Sequence, residues 1–275
     1  MISPNLRLRV LSSLIILPAV GFLLFVGGWA FVGFAVLVSG LMAWEWGQLV
    51  TSGHPASISI ALAILAASIV GVSPTLGASL TAVAVAVGLL VMLVAGRVMG
   101  IAFPRLCAIG LAVSTLPLIS LVWLRDLPDI GFTIVLWAIA AVVAVDTGAY
   151  LAGKSIGGPK LAPQLSPNKT WAGLIGGMLA SAVVTIAFRY YLLPEAGGPT
   201  GGLVNVATMG VIGAGVAVVA QAGDLAESAV KRYFGAKDSG QIIPGHGGIL
   251  DRVDGHIAVM PVLALIGWAR GGVMF

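Results

Sequence analysis

The stretch "IGFTIVLWAIAAVVAVDTGAYLA", residues 130–152, carries a single charged side chain, Asp146. A helix needs ~20 predominantly apolar residues to cross the hydrocarbon of a bilayer, and this run is long enough. Its apolar residues are continuous rather than alternating, which argues against the strand of a membrane barrel. Outward from it, similar runs lie near 106–124, 76–96, 57–73, 28–50 and 10–26 on one side, and near 171–193, 203–222 and 255–270 on the other. They predict an all-α, polytopic integral membrane protein with about nine transmembrane helices in a single membrane-embedded domain, 1–275. The helices of 1–125 read as a lipid-facing scaffold, and 126–275 as the part that carries the catalytic helices and cytoplasmic loops. The runs at 57 and 255 are the shortest and the most open to a re-entrant reading.

Composition agrees. Hydrophobic residues make up 59% and charged ones 9%, against roughly 25% charged in an ordinary soluble domain, so the chain cannot cover a water-facing surface. The basic start at Arg7 and Arg9 followed by an apolar core has the outline of a signal peptide. No small-x-small cleavage site follows and the next run begins almost at once, so the reading is an uncleaved first helix. Cys107 is the sole cysteine, which excludes an internal disulfide. No repeat with a period of 20 to 50 residues is evident.

Lys and Arg resist translocation and mark the cytoplasmic side. With nine spans and a cytoplasmic N-terminus, one side receives Arg7, Arg9, Arg97, Arg105, Lys154, Lys160, Lys169, Lys231, Arg232, Lys237 and Arg252. The other keeps Arg125, Arg189 and Arg270. The bias supports both the orientation and the span count, and it assigns the net charge of +4 to membrane topology rather than to nucleic-acid binding.

Polar residues gather on that cytoplasmic side in three places. In "AWEWGQL", 43–49, Glu45 stands between two tryptophans and reads as part of an interfacial belt, its carboxylate reaching headgroup water. In "DTGAYLAGKSIGGPKLAPQLSPNKTWAG", 146–173, the segment 148–155 formally fits the P-loop pattern. That loop works only between a buried strand and a helix N-terminus, and here it closes a run of membrane-span length, so the P-loop reading is rejected. Asp146, preceded by "AIAAVVAV", requires a polar cavity or a partner; a functional role and structural pairing stand equally. Asn168 or Thr170 can cap the following helix, Trp171 can join the aromatic belt and Lys169 can snorkel.

The third place runs from Asp224 to Asp254. Asp224, Glu227, Ser228 and Lys231 share one helical face, which by itself describes a solvated, ion-paired helix end. Beyond it stand Arg232, Lys237 and Asp238, then "PGHGG", 244–248, then "DRVD", 251–254. Glycines 245, 247 and 248 leave room for a close ligand. Asp224, Asp251 and Asp254 are hard oxygen donors suited to Mg²⁺, and Lys231, Arg232, Lys237 and Arg252 are cations for phosphate oxygens. Carboxylates for metal beside cations for phosphate, at a membrane surface, point to phosphoryl or nucleotidyl transfer to a lipid headgroup.

The run Ser228, Lys231, Arg232, Lys237, Asp238, Pro244, His246, Gly247, Gly248, Asp251, Arg252 and Asp254 resembles, without insertion or deletion, the signature of the phosphatidate cytidylyltransferases, the CDP-diacylglycerol synthases. The resemblance extends to "DTGAYLAGK", to "SPNKTWAG" and more loosely to "AWEWGQL". The chain departs from it at Asn168 and Ala172, where the family often has a basic residue and Glu or Gln, so Lys169 and Thr170 carry the expectation there.

What the resemblance implies is specific. The substrates are CTP and phosphatidic acid and the products CDP-diacylglycerol and pyrophosphate. Mg²⁺ is the required ion, with K⁺ as an optional companion. The resemblance implies a homodimer among membrane lipids of a bacterial-type inner membrane, and the Lys and Arg bias places its site on the cytoplasmic side. Asp224, Asp251 and Asp254 become metal ligands. Lys231, Arg232, Lys237, Asp238, His246 and Arg252 become catalytic, with His246 a phosphate donor or loop organiser rather than a base. Ser228, Gly247, Gly248, Lys169, Thr170 and Asp146 become substrate-binding. His54 and His256 are read as structural. Two other classes compete: a lipid or polyprenol kinase-like enzyme, which would move a γ-phosphoryl group to an alcohol, and a transporter. The transporter ranks third, because the charge gathers at one interface rather than at the midplane of paired repeats.

Overall fold

In the computed structural model, residues 4–51, 56–192, 206–243, 245 and 247–271 are described. They form eight helices and one short hairpin: α1 (Pro4–Val26), α2 (Gly28–Thr51), α3 (Ala56–Val98), α4 (Pro104–Arg125), α5 (Gly131–Ser155), β1 (Lys160–Ala162), β2 (Ser166–Thr170), α6 (Trp171–Tyr191), α7 (Val206–Tyr233) and α8 (Leu250–Ala269). The nearly all-α membrane architecture is that expected from the continuous apolar runs. Among the described residues seven helices, α2 to α8, are long and apolar enough to cross a membrane.

The expected nine is not reached by counting elements, for two reasons. The apolar part of α1 is shorter, Leu14–Val26, and the runs at 57–73 and 76–96 share the 43-residue α3. At ~1.5 Å per residue an unbroken helix of that length would be about twice the hydrocarbon thickness. It is broken at Gly77, whose φ of 68° lies in the left-handed region that glycine occupies without penalty. Thr81 Oγ1 donates to Ser73 O across the break at 3.3 Å, a pair that a straight helix would hold ~12 Å apart. A Cβ at Gly88 would meet Ile69 and Leu65. The chain therefore doubles back, and α3 is a helical hairpin.

The chain divides into two compact units, Met1–Asp126 with Lys231–Val253, and Leu127–Val230 with Asp254–Phe275. In the first, α2, α3 and α4 pack on one another around Met42, Trp46, Leu62, Met92 and Leu111, all buried. The Trp46 indole donates to Leu106 O at 2.8 Å and lies against Gly110, where any side chain would strike the ring. Arg125 closes the C-terminal end of α1, donating from Nε to Leu24 O at 2.7 Å and from Nη2 to Phe25 O at 3.0 Å, carbonyls that the helix itself leaves unpaired.

In the second unit α5 lies along α6, and glycines set the approach, as is common where helices associate in lipid. A Cβ at Gly148 would stand 2.6 Å from Gly176 O, and one at Gly176 would stand 2.7 Å from Gly148 O. Gly213 brings α7 equally close to Ser181 and Ala182 of α6, and Gly223 brings it to Ala258 of α8. The segment that matched the P-loop pattern ends α5 as ordinary helix, with Gly148 and Gly153 facing α6. The antiparallel β1–β2 hairpin pairs Lys160 with Thr170 and delivers Lys169 to the start of α6.

Candidate active site

Charged residues collect in two clusters, one within each unit. The cluster of the first unit is built where α8 begins. The first amides of a helix have no partner inside it; here the Glu45 carboxylate takes those at the start of α8, the sign that a helix N-terminus favours, while Asp251 gathers donors from the loop before it. Asp251 Oδ2 accepts from Gly248 N at 3.1 Å, from Ser239 N at 2.8 Å and from Ser239 Oγ at 2.9 Å. Its Oδ1 pairs with Lys231 Nζ at 2.6 Å. Glu45, from α2, accepts from Ile249 N and Leu250 N, each at 3.0 Å.

Glu45 corrects the reading of its stretch as an interfacial belt. It is 2% exposed, and its carboxylate meets backbone amides rather than headgroup water. The sequence placed it beside two tryptophans and gave no sign of a partner two hundred positions away. Space for it comes from glycine. A Cβ at Gly240 would stand 2.5 Å from Glu45 Oε1, and one at Gly248 would stand 2.8 Å from Glu45 Oε2. The bare Cα of Gly248 is thus filled by the protein's own groups, Glu45 and Ser239.

Gly247 has a φ of 88° and closes a tight turn through two backbone bonds with Ile243, at 2.9 and 3.2 Å. His246 and Pro244 lie outside the described residues. Arg232, Lys237, Asp238 and Arg252 are exposed around this turn, Arg232 donating to Ala236 O at 3.0 Å. Arg232, Lys237 and Arg252 present unburied positive charge that an anionic ligand can reach, whereas Lys231 is held by Asp251.

The cluster of the second unit lies on α5, β2, α7 and α8. Lys169 Nζ pairs with Asp224 Oδ2 at 2.5 Å, and Ser228 Oγ donates to Asp224 Oδ1 at 3.3 Å. Asp146 and Asp254 both lie close enough to Asp224 to feel its charge. Asp254 Oδ1 accepts from Gly255 N at 2.7 Å. Thr170, not Asn168, caps α6: its hydroxyl oxygen accepts from Gly173 N at 3.0 Å, and its burial gives it a structural role whatever else it does. Among the described residues no three of His, Cys, Asp and Glu stand close enough to enclose one ion.

These features define a class: an α-helical membrane protein with cations and carboxylates gathered at helix ends, chemistry suited to phosphate-bearing ligands. Comparison with known proteins narrows it. The chain matches the cytidylyltransferase family over residues 7–269. It is 38% identical over 264 residues to a phosphatidate cytidylyltransferase of Brucella melitensis, covering 96% of this chain and 93% of that one, and equally so to the Brucella suis protein. A phosphatidate cytidylyltransferase of Staphylococcus aureus is 43% identical over 136 residues, half of this chain and 49% of its own. The chain belongs to the cytidylyltransferase family.

Proposed function

We propose that the protein transfers CMP from CTP to phosphatidic acid, giving CDP-diacylglycerol and pyrophosphate. The observation that carries this reading is the near-full-length likeness to the Brucella phosphatidate cytidylyltransferases. The two charged clusters are consistent with it. An ionised phosphate oxygen of phosphatidate attacks the α-phosphorus of CTP in line. The bond from that phosphorus to the oxygen bridging the β-phosphate breaks, and pyrophosphate leaves with the electron pair. Because the nucleophile arrives already ionised, no strong general base is needed.

In this scheme Arg232, Lys237 and Arg252 meet triphosphate oxygens and offset the charge that develops on them, with Asp238 and His246 ordering the same loop. Ser228, Gly247, Lys169, Thr170 and Asp146 are assigned to substrate binding, whereas Gly248, its Cα covered by Glu45 and Ser239 and its amide taken by Asp251, serves the loop's own packing. Mg²⁺, when bound, supplies positive charge to phosphate oxygens. It ordinarily takes one or two carboxylates and completes its shell with waters and substrate phosphate, so the absence of a three-carboxylate cage among the described residues is compatible with it.

Asp224 and Asp254 keep acceptor positions for such an ion. Asp251 already accepts four donors, about the capacity of a carboxylate, and would bind an ion only by releasing one. Lys231 is the donor with another anion to turn to, the substrate's phosphate. We further propose K⁺ as a companion ion, a homodimeric state, and a site facing the cytoplasm from a bacterial-type inner membrane.

The test is an assay of purified protein in mixed micelles with phosphatidic acid and CTP labelled at the α-phosphate. Label is expected in the lipid product together with released pyrophosphate, lost on chelation and restored by Mg²⁺. Nucleoside diphosphate release with a phosphorylated alcohol would instead establish the kinase-like reaction.

A further inference from the structure

Glu45 lies on α2, far in sequence from the charged signature, yet three donors converge on its buried carboxylate. Ile249 N and Leu250 N each lie at 3.0 Å and Ser239 Oγ at 3.3 Å. Two of the three belong to the start of the helix that carries Asp251. The third, Ser239, holds Asp251 Oδ2 from both its amide and its hydroxyl. The hydroxyl has one proton and stands between two carboxylates, Asp251 at 2.9 Å and Glu45 at 3.3 Å, so it donates to one at a time, the shorter distance favouring Asp251, and packs the two groups side by side. Gly240 and Gly248 lack the side chains that would displace Glu45.

A carboxylate is costly to bury unless its lone pairs are filled. The arrangement fills them with donors that also fix the register of the loop and of the first turn of α8. We propose that Glu45 is a positioning residue for Asp251. It touches no substrate in this role; it sets where the Asp251 carboxylate stands beside Lys231. The inference rests on the cytidylyltransfer reading for its kinetic consequence, though not for its structural one.

A Gln at this position offers one oxygen acceptor and turns an amide donor toward the second backbone amide, so one of the two helix-start bonds is lost. An Asp keeps both oxygens on a shorter arm. The experiment compares wild type, Glu45→Gln and Glu45→Asp as full-length purified protein in phosphatidic acid micelles. CDP-lipid formation is measured against CTP and phosphatidic acid, with cooperative thermal unfolding and amide hydrogen exchange followed in parallel.

Displacement of a reacting group by ~1 Å can lower turnover about 100-fold, and a kcat loss of that order is expected for Glu45→Gln, with KM for phosphatidic acid unchanged. Glu45→Asp is expected to recover part of it. Exchange should quicken at Ile249 and Leu250 while α4 keeps its protection. Wild-type kcat in folded Glu45→Gln, or a loss that only follows the folded fraction, overturns the proposal. Should Glu45→Gln fail to fold, Glu45→Asp bears the test, with wild-type kcat again overturning it. A wild type that makes no CDP-lipid would sink the functional reading instead. The exchange measurement would still decide positioning, since unchanged protection at 249 and 250 excludes it.

Discussion

At the scale of residues, the pair Lys231–Asp251 joins stability to chemistry. Both side chains are nearly buried, and removing one partner of a buried ion pair costs about 3 to 5 kcal/mol because the other charge is left uncompensated. Asp251→Asn is therefore expected to lower the unfolding midpoint and to abolish turnover. Adding Lys231→Met removes the stranded charge, so the double variant should regain most of the stability and none of the activity. Thermal unfolding beside the cytidylyl-transfer assay checks this; recovery of activity in the double variant would show the pair to be structural only. Of this cluster the sequence exposed Lys231, Asp251 and their spacing. It singled out Glu45 but not its partners, because they lie about 200 positions away and no local pattern records that distance, and it passed over Ser239, an ordinary loop serine in sequence.

At the scale of elements, glycine governs how closely helices approach. Gly148 and Gly176 place the backbones of α5 and α6 where a methyl group would press on a carbonyl oxygen of the opposite helix. Overpacking of this kind costs roughly 1 to 3 kcal/mol. Gly176→Ala should lower the midpoint accordingly, while an alanine at Gly210, which has open space around it, should leave it nearly unchanged. Equal midpoints for the two variants would show that α5 and α6 do not depend on this contact. The helices themselves were legible as apolar runs, since length and continuity suffice for that. The fold-back within α3 was legible as the boundary between the runs at 57–73 and 76–96, but not its hinge, because Gly77 has the same appearance in sequence as the many glycines that only pack.

At the scale of the whole molecule, the asymmetry of Lys and Arg sets a testable orientation. Cys107 is fully buried, so the chain suits labelling of single introduced cysteines. Lys237→Cys and Asp126→Cys both replace exposed residues. A membrane-impermeant maleimide is expected to label the first only in inverted membrane vesicles and the second only in right-side-out ones. Labelling of both from one side would overturn the proposed topology.

The sequence by itself determined the solvent, the helical class, the charge asymmetry and the signature from Ser228 to Asp254. All of these are carried by composition or by short spacings along the chain. Tertiary structure alone decided that Gly77 is the hinge of the α3 hairpin, that Thr170 rather than Asn168 caps α6, and that Asp251 is held by Lys231, Ser239 and Gly248. It also placed Glu45 against the start of α8. Each of these depends on which groups fill a donor's or acceptor's remaining valence. Some of those partners are near in sequence, as Gly173 is to Thr170, but Glu45 meets the start of α8 across about 200 positions, a pairing no local pattern can record.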